Sequence, residues 1–274
     1  MKKTLVAIFS LFATTAFVAA QPAQKPLKKV MELKMPKTAD DDMPGTRGAS
    51  VAWHPVYKKY YASMAGNSGY PMAIFDLAGK RLSDFEMTTG FDTRGLWYNP
   101  KTKKICGNGY DVTGWFSYNL NSKGLISGSQ VDYEGLNQPG DQCVGAFNSQ
   151  TSEVMFLKGS EVYVYTADAI ADKTITIHFG QKKADGELAS EDPATTPPGY
   201  NNTTLVYTGL KGRELGFLNA DKKQVELYDK ATGFLTAVLT LPPTATAEPS
   251  FNFAYTNGMY WLFDMEKRVW TSYR

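Results

Sequence analysis

Short apolar runs separated by polar turns recur along the whole chain. Where the pattern is cleanest its period is two, with Met31, Leu33 and Met35 alternating with Glu32 and Lys34. That is the period of a half-buried strand. Similar runs begin at Tyr60 (YYASMAG), Ile105 (ICGNGY), Val154 (VMFLKG), Glu214 (ELGFLNA) and Met259 (MYWLF). Turn formers bound each of them, so the chain is expected to be all-β and built from many short strands.

The strands fall into a repeat. AWHP at 52–55 has relatives in WYNP at 97–100, AFNS at 146–149, VYTG at 206–209 and AYTN at 254–257. Each copy is an apolar residue, an aromatic, a small hydrogen-bonding residue and a turn former. The aromatics Trp53, Tyr98, Phe147, Tyr207 and Tyr255 are 45, 49, 60 and 48 residues apart. After each copy comes a second apolar strand, then a third that ends on similar letters (IFDLAGK, SYNLNSKG, VYTADA, LYDKATG), then a fourth (RLSDFEM, LISGSQV, TITIHF, FLTAVLTL). Four short strands per unit is the signature of a β-propeller blade.

The last unit, 251–274, holds only three strands, with an Asn257-Gly258 hairpin between the first two. The segment 31–35 is expected to supply the fourth and so close the ring. This gives a five-bladed β-propeller over 28–274, after a linker at 21–27. Six blades would require one hidden in 180–202, which is polar, Pro-bearing and non-alternating and reads as a long loop. His54 occupies the place of Asn99, Asn148, Thr208 and Thr256, which assigns it to a turn rather than to chemistry. Asp76 and Asp229 match Asn119 and Thr166 at the end of the third strand, and His178 reads as a partly exposed outer-strand residue.

The segments YPMAIFDLAGKRL and QVELYDKATGFL resemble the third-strand turns of secreted bacterial β-propellers of the NHL-repeat, regucalcin-like lactonase and YVTN-repeat kind. The metal ligands of the lactonase-type members map onto no residues of this chain. In such propellers the inner strand of each blade starts at the top face, and the loop entering it lines the mouth of the central channel.

The first twenty residues place Lys2 and Lys3 before an apolar run that ends in Val18, Ala19 and Ala20, which reads as a cleavable secretory leader. A periplasmic or secreted protein, not inserted in the membrane after cleavage, is the expectation. Removing the leader leaves 27 basic residues against 27 acidic ones, so attraction of the whole molecule to nucleic acid is not expected. Cys106 and Cys143 are the only cysteines. In an oxidising compartment they form either one disulfide or two buried free thiols.

If the resemblance holds, function sits just before each repeated aromatic: Arg47, then Asp92, Thr93 and Arg94, then Asp141 and Gln142, then Asn201, Asn202 and Thr203, then Ser250. The triplet TRG occurs at 46–48 and 93–95 and sets a guanidinium in two adjacent blades. Guanidinium pairs hold carboxylates or phosphates, which points to a small polar or anionic ligand. The competing reading is that Arg47 and Arg94 only pair with Asp92 and Asp141. Loops between second and third strands add Asn67, Tyr70, Tyr110, Asp111 and Trp115, a rim suited to sugar rings or peptide side chains, or, for Trp115, ordinary blade packing.

G-x-S-x-G, HExxH, Walker-loop and CxxC patterns are absent, and no cofactor is expected. The leading expectation is therefore a monomeric, non-catalytic propeller that binds a small ligand or a protein partner at the top face. The alternative is a hydrolase on the same scaffold, either a metal-assisted lactonase or a glycosidase drawing its acid and base from Asp92, Asp111, Asp141 or Glu191.

Overall fold

In four of the five blades the residue after the repeated aromatic ends the inner strand by capping the turn that follows. Asn99 Oδ1 accepts the N–H groups of Lys101 and Thr102 at 3.0 and 3.4 Å, and Asn148 Oδ1 accepts those of Gln150 and Thr151 at the same distances. Thr208 Oγ1 accepts that of Leu210 at 3.1 Å. His54 does the same with a ring nitrogen, Nδ1 accepting the Tyr57 N–H at 3.3 Å. The third strands end on a second set of caps, in which Asp76, Asn121, Thr166 and Asp229 each accept two backbone N–H groups of the following turn. The counterpart of Asp76 in the second unit is thus Asn121 and not Asn119, because the side chain that closes the turn lies beyond the last strand residue. Such local side-chain caps set the hairpin lengths and hence the repeat.

The computed structural model describes residues 23–41, 45–183 and 194–274. The chain enters through β1 (Ala23–Pro26) and β2 (Lys29–Lys34). It then lays down β3 (Arg47–His54), β4 (Lys59–Ala65) and β5 (Met72–Phe75) as the first sheet. The second sheet is β6 (Thr93–Asn99), β7 (Lys104–Gly109), β8 (Trp115–Leu120) and β9 (Ile126–Tyr133). The third is β10 (Ala146–Asn148), β11 (Glu153–Lys158), β12 (Glu161–Tyr165) and β13 (Ala171–Thr176). The fourth is β14 (Tyr200–Tyr207), β15 (Leu215–Asn219), β16 (Gln224–Tyr228) and β17 (Leu235–Thr240), and the last is β18 (Phe253–Thr256), β19 (Met259–Asp264) and β20 (Val269–Tyr273). These are the five blades of a β-propeller, with β3, β6, β10, β14 and β18 innermost.

The ring closes as the alternating N-terminal segment requires. β2 pairs antiparallel with β20, setting Leu33 opposite Trp270, and both side chains are fully buried. A second clasp follows on the top face, where the chain crosses from β2 to β3. There the buried Asp41 carboxylate accepts hydrogen bonds from Arg268 at 2.5 and 3.2 Å and from Thr46 Oγ1 at 2.5 Å. Ala23–Pro26, within the stretch read as a linker, adds a fifth strand to the fourth blade, parallel to β17.

The fourth strand expected at RLSDFEM does not form as a regular strand. Ser83 Oγ accepts the Ile74 N–H at 3.1 Å and Asp84 Oδ1 accepts the Glu86 N–H at 3.0 Å. These side chains compete with the ladder, and only isolated bridges at Phe75–Arg81 and Pro71–Thr88 remain. His178 lies just past β13, half-buried, stacked on Phe234 with ring centroids 4.3 Å apart. Cys106 and Cys143 are buried free thiols. The core lies between blades, where aromatic and aliphatic side chains of adjacent sheets interleave.

Candidate functional site

The inner strands run from the top face to the bottom face, and the two ends of the channel they surround differ. At the top, the loop entering β18 carries Phe251 and Asn252 with φ of +49° and +56°. A left-handed phenylalanine is costly, and it is held here by contacts from every blade. Gly48 N–H donates to Asn252 Oδ1 at 2.7 Å, and Asn252 N–H donates to the Gly48 carbonyl at 3.1 Å. The Phe251 N–H donates to Thr203 Oγ1 at 2.7 Å, and its carbonyl accepts Asn201 Nδ2 at 2.8 Å. The ring is buried in one cluster with Ala49, Ala65 and Val144. Arg47 and Arg94 set their guanidinium carbons 5.7 and 5.5 Å from its centroid, within cation–π range.

Several of the residues that the sequence singles out therefore do converge, but around a residue that it did not single out. Arg94 is buried, forms an ion pair with Asp92, donates Nε–H to Gln142 Oε1 at 3.0 Å, and lies 4.8 Å from the Tyr110 ring centroid. Asp92 Oδ1 also accepts the Gly66 N–H at 2.9 Å. Arg47 is exposed, and Phe251 is the contact of its guanidinium. Asn201 is buried, and its Oδ1 accepts the N–H groups of Thr203 and Thr204. Asn202 is exposed and joins the loop through its backbone, donating to the Pro249 carbonyl. Asp141 is half-buried, with its carbonyl accepting Gln138 Nε2. Asp111 opens a single 3-10 turn at φ +47°, and Tyr70 lays its ring over Gly66. Trp115 is buried between blades, edge-on to Trp97 at 5.9 Å, with its N–H donated to the Asn137 carbonyl. Glu191 lies outside the described residues.

At the other end the channel is open. A cavity of about 290 Å³ is lined by the lower halves of all five inner strands, from Ser50, Val144, Thr204 and Phe253 down to Pro55, Gln150, Gly209 and Thr256. All five repeated aromatics, Trp53, Tyr98, Phe147, Tyr207 and Tyr255, line it, and each is half-buried. Most are braced from behind. Trp53 packs on Tyr60 and Tyr255 on Tyr260, with centroids 4.6 and 4.8 Å apart, while Phe147 stacks on Trp97 at 6.0 Å. Tyr98 rests on His54 at 4.5 Å.

His54 is thus a positioning residue at the junction of the first two blades. Its Nε2 lies 3.2 Å from the Lys103 carbonyl. Because Nδ1 accepts the Tyr57 N–H, the ring proton resides on Nε2 and is donated to that carbonyl. Burial lowers the imidazole pKa, more than the Lys103 carbonyl raises it. Burial likewise raises the phenol pKa of Tyr207 and Tyr255. Among the described residues no Asp, Glu, Lys, Arg or His side chain lines the cavity, so the wall they form is neutral: aromatic faces, aliphatic groups, hydroxyls and the Gln150 amide.

No protein-family model and no curated protein matches the sequence. Among solved structures, the chain is similar to the glutaminyl cyclase of Myxococcus xanthus with a TM-score of 0.56 at 9% identity, over 93% of this chain and 98% of that one. It is also similar to the WD40 β-propeller domain of Doa1, with a TM-score of 0.47 at 11% identity, over 90% of this chain and 97% of that one. At 9% identity the likeness to the cyclase carries the fold alone.

Among the described residues no three of His, Cys, Asp and Glu converge as a metal site, and no helix is long and apolar enough to cross a membrane. Sequence reasoning missed Phe251. The signal for it was a large apolar residue in a polar loop, between Ser250 and Asn252. It also found the five aromatics while reading them only as strand markers.

Proposed function

We propose that the chain is a non-catalytic binding protein of the periplasm or extracellular space, and that its ligand enters the one-ended central channel from the lower face. The observation that carries this reading is the neutral well, closed above by the Phe251 cluster and lined at its open end by the five repeated aromatics. At about 290 Å³ it lies at the small end of ligand pockets and suits one ring with polar substituents. Aromatic faces stack on the C–H faces of such a ring, while Ser50, Ser149, Thr204 and Gln150 offer hydrogen bonds. Of the top-face residues favoured by the sequence, Asn201 bonds the plug loop, and Asp92 and Arg94 are occupied by each other, by Gly66 and by Gln142, with the Arg94 guanidinium over the Phe251 ring, so these three support the well from above. The hydrolase alternative finds less support, since Asp92 is ion-paired to Arg94 and the described residues of the well wall include no carboxylate.

The test is a titration with neutral mono- and disaccharides, read by tryptophan fluorescence and by thermal shift. A binding ligand at a hundred times its dissociation constant stabilises the fold by about 2.7 kcal/mol. Phe147→Ala and Tyr207→Ala are expected to abolish the response, and Arg47→Ala to leave it intact. The reverse pattern would move the site to the top face.

A further inference from the structure

We infer that the ligand of the well is the end of an acidic glycan, a uronic-acid or similarly anionic sugar chain. The inference deepens the proposed function and rests on it. The chain, with a formal net charge of only +2, does not spread its charge evenly, and the inner-hairpin turns around the well are strongly basic. The first turn carries Lys58, the second Lys101 and Lys103, and the fourth Lys211 and Arg213, all five exposed. None of these five has a carboxylate partner among the described residues. At the fifth turn the exposed Arg274 is held in place, donating from Nε to the Gly258 carbonyl at 3.2 Å and from Nη2 to the Asn257 carbonyl at 3.0 Å.

The acids in the same turns do not cancel this collar. Glu153 is bonded by Lys230 at 2.6 Å and Lys173 at 3.1 Å. Burial raises its pKa, but those hydrogen bonds and that of Thr151 outweigh burial and hold it down to about 2. Glu214 accepts the N–H groups of Gly212 and Lys230 and offsets one of the two cations of the fourth turn, Lys211 and Arg213, which leaves that turn basic. Cations thus stand at four of the five turns and the third presents Ser149 and Gln150.

The division of labour follows from where charge can be placed. A charged group at the neutral floor of the well would be desolvated without a partner, which is costly. A neutral ring face can enter the well, while its carboxylate, and those of the sugars behind it, stay at the collar within reach of ammonium and guanidinium donors. Because the well is closed above, it admits a chain end and not the middle of a polymer. The collar also disfavours a cationic occupant of the aromatic ring, the other chemistry such a cage could serve.

The experiment compares a tetramer of galacturonic acid with its fully methyl-esterified form, which keeps the rings and removes the charge, and with a thymidine oligonucleotide of matched charge. Calorimetry on the full chain at constant ionic strength is expected to show the acid binding at least about tenfold more tightly than the ester. It is also expected to show the oligonucleotide binding more weakly than either. A Lys58→Glu, Lys101→Glu, Lys211→Glu variant should lose about tenfold or more for the acid and keep its affinity for the ester, with an unchanged unfolding transition. Tyr207→Ala should lose both. Equal affinity for acid and ester would overturn the acidic-glycan inference and leave the well as the binding site. Tighter binding of the oligonucleotide would overturn the sugar assignment. No binding of acid or ester would refute the inference too, and the neutral-sugar titration above then decides the well by itself.

Discussion

At the residue scale, His54 shows how a side chain with the look of chemistry is consumed by structure. Its ring caps a turn through Nδ1, reaches the next blade through Nε2 and supports Tyr98 at the mouth. The turn cap needs the neutral ring, because Nδ1 has to accept. With its pKa lowered in the fold, the unfolded chain takes up the proton first as pH falls. The stability from this residue is therefore fully present above the ordinary value near 6.5 and is lost as pH falls through the lower folded value. Thermal unfolding followed from about pH 8 to about pH 4.5 is expected to decline more steeply for the native protein than for His54→Asn, which keeps the turn cap found in the second and third blades. Parallel profiles would show that the ring is not kept neutral. The two cysteines make a matching prediction. Burial pushes both thiols up to about 12, so a disulfide-exchange reagent at neutral pH should label neither in the native protein and both after denaturation.

At the element scale, much of the fold was legible in the sequence, because each blade repeats the same local chemistry. The alternation from Met31 to Met35, the three-strand remnant after Phe251 and the Asn257-Gly258 turn were together enough to anticipate that β2 completes the last blade. The fourth strand of the first blade was not legible in its letters. RLSDFEM alternates acceptably, yet Ser83 and Asp84 divert backbone donors in a way that only the three-dimensional neighbours Ile74 and Glu86 make visible. The top-face residues were found for a related reason and misjudged for another. Their spacing from the repeated aromatics placed them at one end of the channel, but spacing does not say that a phenylalanine with positive φ fills that end. The closure itself can be tested. Leu33→Ala removes a fully buried side chain packed against Trp270 and should cost about 2–5 kcal/mol in urea unfolding. A chain beginning at residue 35 would leave β20 as a bare edge and is expected to associate with rising concentration on size exclusion. A stable monomer of that length would show that β2 does not seal the ring.

At the scale of the whole molecule, the five blades meet at two places with opposite character, a buried apolar plug above and an open aromatic well below. Phe251 links them. It fills the axis at the cost of a left-handed backbone, draws one arginine from the first blade and one from the second onto its ring, and takes hydrogen bonds from or to the fourth. Phe251→Ala keeps the strained backbone and removes the packing, so it should destabilise the protein by about 3–5 kcal/mol. Phe251→Leu retains an apolar plug and loses the aromatic face beneath both guanidiniums. The contact of the exposed Arg47 at about 0.5–1 kcal/mol and that of the buried Arg94 at about 2 kcal/mol set the expected loss at about 2–3 kcal/mol. Arg47→Ala introduced into the Leu variant should then cost less than it does in the native protein, because the contact it deletes is already gone. In the Ala variant the channel would run through from face to face, and acrylamide should quench Trp53 and Trp97, which line the cavity, more effectively than in the native chain. If urea unfolding shows that Phe251→Ala costs less than about 1 kcal/mol, the blades are held apart from this plug, and the channel owes its closed end to the inner-strand bridge between Val144 and Thr204 instead.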